Sequence, residues 1–239
     1  MANRSPTEGT EPAPPLHAHG SDCGCSDPGR RDFLLRCAAA AIVSTLPAPI
    51  AVAAGRGANI HRLQGRVWVN GTVAGRDTAI RPGDEVVTGH DGTVIFALDN
   101  DVFLLRANSR MRVEARDGVY HSLKLAFGRL LGVFESNARP RTVATPVMTA
   151  GIRGTGCYVE TDNAISYFCD CYGTIDVAGR SGGRETLRAN HHNARWIRHS
   201  TPMQTMLAPA PMRGHGDAEL ILLESVVGRK PPREFFMPM

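Results

Sequence analysis

The sequence predicts an all-β fold, a sandwich or roll of consecutive short strands with one short helix near the C-terminus. Three observations lead there. Short runs alternate apolar and polar residues, which is the pattern of half-buried strands. Turn residues break these runs at close spacing, as at Pro82-Gly83-Asp84, His90-Asp91-Gly92, Asp99-Asn100-Asp101 and Asp117-Gly118. The chain also holds 25 glycines and 16 prolines, residues that supply the positive or pre-set φ of tight turns. Strands alternating with long helical stretches, the mark of a βαβ fold, are not found.

In chain order, Gly65 to Val73 places alternating residues on either side of Asn70-Gly71, a hairpin signal. Further strands are predicted at Asp84 to Thr88, Gly92 to Leu98, Asp101 to Leu105, Arg110 to Arg116, Tyr120 to Phe127 and Arg129 to Phe134. Arg141 to Thr145, Gly156 to Thr161, Ala164 to Cys171 and Thr174 to Ala178 complete the set. Ser181-Gly182-Gly183 then opens an irregular extension over 180–239, in which Thr201 to Pro211 reads as a linker. Near its end Asp217 can cap a short amphipathic helix carrying Leu220, Ile221, Leu222, Leu223 and Val226-Val227, closed by Gly228 and Pro231-Pro232. Packing of that helix on the β core is favoured over its use to dock a partner.

With 42% hydrophobic residues the chain can bury a core, so disorder of the whole is excluded. Its longest apolar run, Cys37 to Ala54, is interrupted by Pro47 and Pro49, which rules out a polytopic membrane protein. The net charge of +4 is spread over scattered arginines, with Lys124 and Lys230 the two lysines. Nucleic acid is not an expected partner, because phosphate recognition needs clustered positive charge.

Residues 1–53 form the N-terminal unit. The part before Arg30 is rich in Pro, Ser, Gly and His and reads as a disordered tail, in which Cys23 and Cys25 are incidental. Arg30-Arg31-Asp32-Phe33-Leu34-Leu35-Arg36, followed by an apolar stretch, resembles a twin-arginine export signal. Gly29 stands where Ser or Thr is usual, and Leu35 precedes the basic residue. Ala51-Val52-Ala53 suits cleavage after Ala53 or Ala54, which would leave the protein in the periplasm or cell envelope; if uncut, the segment would serve as an N-terminal membrane anchor.

Several blocks recur in a known order: Gly65-Arg66-Val67-Trp68-Val69-Asn70-Gly71, Gly83-Asp84-Glu85-Val86-Val87-Thr88-Gly89, Gly128-Arg129-Leu130, and Thr145-Pro146-Val147 before Gly151-Ile152-Arg153-Gly154-Thr155. Over residues 61–179 the chain resembles the FecR domain. The resemblance implies an extracytoplasmic, non-enzymatic module for sensing, binding or scaffolding, linked to signalling and partnered with another envelope protein. Family members that regulate a sigma factor carry a cytoplasmic helical domain. The residues before Arg30 are too few and too polar to form one, so an anti-sigma role is not expected of this chain.

Cys157, Cys169 and Cys171, with His191-His192 downstream, depart from a generic domain of this kind. Alternate residues of a strand share a face, so Cys169 and Cys171 point the same way, and a turn at Asp162-Asn163 would return Cys157 beside Phe168 or Cys169. Three readings follow. These five residues would form a soft-metal site for zinc or iron, loaded before export, or a thiol-redox centre. Cys157 would pair with Cys169 or Cys171 in a disulfide, leaving one thiol over. The thiols would otherwise be small core residues. His61, His90, His121, His199 and His215 stand singly and read as surface or satisfied side chains.

No catalytic motif is legible. His191-His192 lacks the His-Glu-x-x-His spacing, no Gly-x-Ser-x-Gly is present, and Gly151 to Thr155 lacks the lysine and helix start of a phosphate loop. A Cys–His nucleophile pair would have no orienting third residue that the sequence names.

Overall fold

The computed structural model describes residues 57–136, 139–200 and 204–236. The export signal, its cleavage point and the polar tail lie outside them. In chain order the strands are β1 (Ile60–Gln64), β2 (Val67–Val69), β3 (Thr72–Val73), β4 (Glu85–Thr88), β5 (Thr93–Leu98), β6 (Asp101–Leu105) and β7 (Ser109–Arg116). They continue as β8 (Val119–Val133), β9 (Arg141–Ala144), β10 (Met148–Ile152), β11 (Gly156–Thr161), β12 (Ile165–Gly179), β13 (Arg184–Ala189), β14 (Asn193–Ser200) and β15 (Gln204–Ala210). One helix follows, α1 (Asp217–Val226), and a 3-10 turn over Arg233–Phe236. The all-β prediction with a short C-terminal helix holds. Among the described residues no helix is long and apolar enough to cross a membrane.

Two sheets share their longest strands. One runs β3-β2-β4-β7-β8-β9-β10-β12-β13, and the other joins β1, β5, β6, β8, β11, β12, β14 and β15. The first half of β8, to Phe127, pairs with β7, and its second half, from Gly128, pairs with β6 and β11. β12 changes sheets in the same way between Tyr172 and Gly173. Each bend falls on a left-handed glycine, Gly128 at φ 100° and Gly173 at φ 104°. This is why the sequence reads each strand as two: the glycine breaks the alternation without ending the strand.

A Cβ on Gly128 would lie 2.5 Å from the Ser109 Cα, in a conformation that L-residues avoid. Gly71, at φ 79°, has nothing within 4 Å of such an atom. Gly128→Ala is therefore expected to cost about 3 kcal/mol or more in urea unfolding, and Gly71→Ala about 1 kcal/mol. Equal costs would mean that the bend is not sterically fixed.

The main core fills the space between the sheets, with Val86, Phe96, Phe103, Met111, Leu123, Val159 and Phe168 among its buried residues. A second cluster lies on the other face of the second sheet. There Ile95, Val102, Leu104, Leu131, Val133, Tyr158, Tyr167, Cys169 and Cys171 meet Leu220 and Leu223 of α1 and Phe235. The alternation along β5, β6, β11 and β12 sends neighbouring residues to opposite cores, as a pleated strand requires.

The extension over 180–239, expected to be irregular, contributes three strands to these sheets. β13 pairs with the second half of β12, and β14 pairs with its first half and with β15. Thr201 to Pro211, expected as a linker, contains the edge strand β15, where Pro209 lies opposite Arg195. An edge tolerates proline because one side of the strand needs no partner. The helix cap also differs from expectation. Gly216 is the N-cap and Asp217 the first helical residue; the Glu219 carboxylate accepts the Gly216 N–H at 3.1 Å. Gly228, at φ 71°, follows the helix as the sequence predicts.

Candidate metal centre

Cys169 and Cys171 lie on the first half of β12, on the face turned toward α1. The pairing with β11 skips Cys171: Gly156 faces Tyr172, and Cys157 faces Asp170. This bulge, together with the strand parity, brings Cys169, Cys171 and Tyr172 into one cluster. The turn between β13 and β14 then folds back over the strand. His192 adopts a left-handed conformation, φ 48°, and its N–H donates to the Cys171 carbonyl at 3.0 Å. Its ring is thereby laid beside Cys169.

A fourth group arrives from the C-terminal segment. The His215 ring stacks on Tyr158 at 4.6 Å between centroids. The Tyr167 hydroxyl steadies the same segment by donating to the Pro211 carbonyl and accepting the Arg213 N–H, at 3.0 and 3.1 Å. One donor atom from each of Cys169, Cys171, His192 and His215 falls within 4.8 Å of every other. Cys169 Sγ is 3.6 Å from His192 Nδ1, Cys171 Sγ is 3.2 Å from His215 Nε2, and the two nitrogens are 3.2 Å apart. A tetrahedral zinc ion with bonds of about 2.3 Å to sulfur and about 2.05 Å to nitrogen has S–N edges of roughly 3.6 Å and an N–N edge of roughly 3.3 Å.

The outward nitrogens have acceptors as well. His215 Nδ1 lies 2.8 Å from the Arg213 carbonyl, and His192 Nε2 lies 2.9 Å from Asp217 Oδ1. Each inner nitrogen is thereby left free to present a lone pair, the arrangement that orients histidine ligands. His191 Nε2 holds the other Asp217 oxygen at 3.1 Å.

The electrostatics separate the thiols. A hydrogen bond from Cys171 is the largest influence on Cys169; against burial, it and the two histidines draw the thiol down to about 4. Burial and the charge of Cys169 push Cys171 far the other way. Burial opposes a proton on His192, but bonds to Cys169 and Asp217 outweigh it and raise the imidazole. Asp170 points away from this cluster, fully buried, and neither carboxylate oxygen has a hydrogen-bond partner. Burial lifts it to about 8, and the Cys169 thiolate adds to the rise.

The sequence-based site is therefore redrawn. Cys169, Cys171 and His192 come together as expected. Cys157 does not join them: it faces Asp170 across the strands and packs in the main core. The loop from Asp162 to Ile165 is longer than the turn expected there, and a one-residue slip in register sends a side chain to the opposite face. His191 supports Asp217 and offers no atom to the four-residue set. The disulfide expected from Cys157 is not formed: among the described residues, Cys157, Cys169 and Cys171 are free. His215, read from sequence as a solitary surface or satisfied histidine, supplies the fourth position. Its signal was its setting, between Gly214 and Gly216 at the start of a helix.

Cys169, His192 and Asp217 also line up as a nucleophile, a base and an orienting carboxylate. The thiol has no exposed surface, however, and the imidazole nitrogen facing it is also 3.2 Å from His215. An S2N2 cluster whose two sulfurs are buried serves ligation better than attack on a substrate.

No family model matches the chain, and no curated protein matches it. Two solved structures of a candidate anti-sigma factor from Parabacteroides distasonis ATCC 8503 are similar at TM-score 0.43, with 16% and 15% identity. In each case the match covers 52% of this chain and 59% of that one, so it spans less than two thirds of the similar protein.

Proposed function

We propose that this chain is an exported, non-enzymatic FecR-like module of the cell envelope that senses or binds, works with an envelope protein partner, and carries a resident metal ion. The ligands are Cys169, Cys171, His192 and His215. Zinc suits two thiolates and two imidazoles in a tetrahedron, and iron is the other candidate. Two thiolates also neutralise a divalent ion, which suits a centre whose two sulfurs are buried. The observation that carries the reading is the convergence of four donor atoms whose two histidines are each oriented from behind by an acceptor. Export through the twin-arginine route, which passes folded proteins, accords with a centre assembled beforehand.

Elemental analysis of untagged protein purified without chelators tests it. About one equivalent of zinc or iron per chain is expected. Cys169→Ser with Cys171→Ser should abolish it, whereas Cys157→Ser should keep it in full. Less than about a tenth of an equivalent in the unaltered protein would refute the reading, since intact structural sites fill nearly completely.

A further inference from the structure

The donor set joins two parts of the chain. Cys169, Cys171 and His192 belong to β12 and the turn after β13, whereas His215 belongs to the segment that leads into α1. Asp217, the acceptor behind His192, is the first residue of the helix itself.

The rest of that segment is modestly attached. Leu220, Leu223, Pro231 and Phe235 are buried and Val226 and Val227 partly so, whereas Ile221, Leu222 and Phe236 face solvent. A helix of ten residues does not persist alone in water, so α1 exists only while docked. Its polar contacts are bought with burial: Glu224 is 3% exposed, bonded to Tyr172 and Arg229, yet Arg229 Nη2 and the Nε of Arg106, which grips Glu219, are buried without partners. A bond through the metal from His215 to three residues of the sheet layer would be the strongest single tie between this segment and the rest.

Resting on the metal-centre reading, we propose that metal occupancy latches residues 211–236 onto the second sheet, and that metal loss releases α1. Release would uncover the apolar face of β6, β8 and β12 formed by Leu104, Leu131, Val133 and Tyr172. The module would then report metal as a covered or an open surface, which gives its sensing role a signal and an output.

Hydrogen exchange of the full chain, loaded with zinc and after stripping by a chelator, tests the latch. Amides over 217–226 should exchange about tenfold faster or more in the stripped protein, while those of β4 and β7 keep their protection. His215→Ala should show the fast rate in α1 even with excess zinc, again with β4 and β7 protected. If zinc is measurably removed and α1 exchanges as before, the latch is overturned and the metal centre stands. Loss of protection throughout the chain on stripping would overturn it in favour of a metal required for the whole fold. Failure of the unaltered protein to take up zinc or iron would overturn both readings together, and the elemental analysis would identify that case.

Discussion

Stripping the metal is expected to lower the midpoint of thermal unfolding by about 10 °C or more. An ion present at a thousand times its dissociation constant, and bound to the native state alone, adds about 4 kcal/mol. For a domain of this size each kcal/mol moves the midpoint by about 2–4 °C. The increment should shrink as the pH falls below about 6, because protons compete for both thiolates and both imidazoles. Calorimetry of loaded and chelated protein at pH 7.5 and pH 5.5 measures both effects. A midpoint that ignores the chelator while the metal is shown to leave would remove the centre from any role in stability.

Arg141→Met should cost about 3–5 kcal/mol. The Arg141 side chain is 6% exposed, and its guanidinium donates to Asp101 at 3.1 Å, to Asp99 at 3.0 Å and to the Tyr120 carbonyl at 2.7 Å. It also lies 4.2 Å from the centre of the Tyr120 ring. Asp101 is 1% exposed and, once the arginine is gone, keeps the Glu135 N–H but no cationic partner. Burial already raises its carboxyl above the usual range in spite of the arginine, and the variant would raise it further. A carboxyl raised in the folded state weakens the fold at pH values above its unfolded pKa. The deficit of the variant should therefore be largest near neutrality and shrink as the pH falls toward about 4. Arg141→Met with Asp101→Asn should recover a substantial part of the loss. Urea unfolding of the three proteins decides it: a single-variant cost below about 1 kcal/mol, or no recovery in the double variant, would mean that the pair is not a buried, mutually dependent one.

The strands bounded by strong turns were legible. Asn70-Gly71 takes positive φ at both residues, 51° and 79°, and Asp117-Gly118 does the same, 53° and 72°, so the chemistry of the turn announced each hairpin. β13 escaped notice because it buries a single side chain, Leu187, and thus has no alternation to read. β15 was hidden by a proline that an edge position permits. At the four-donor cluster, parity along one strand gave Cys169 and Cys171. Cys157 was misplaced because loop length, which the sequence does not reveal, decides the face. His215 is 44 residues beyond Cys171 in the chain, and only tertiary folding brings it near.

The sharing of β8 and β12 by both sheets bears on when the donor atoms meet as the chain folds. Cys169 and Cys171 occupy one half of β12, and the other half is held in place by β10 and β13. β8 pairs with β7 through its first half and with β6 and β11 through its second. These pairings link residues far apart in the chain, a topology that folds slowly, on the scale of about milliseconds to seconds. The four donors come from β12, the turn after β13 and the segment before α1, so their meeting needs long-range packing. Metal capture is thus expected to close the folding sequence rather than start it, and a refolding experiment should show zinc-dependent changes in its last kinetic phase.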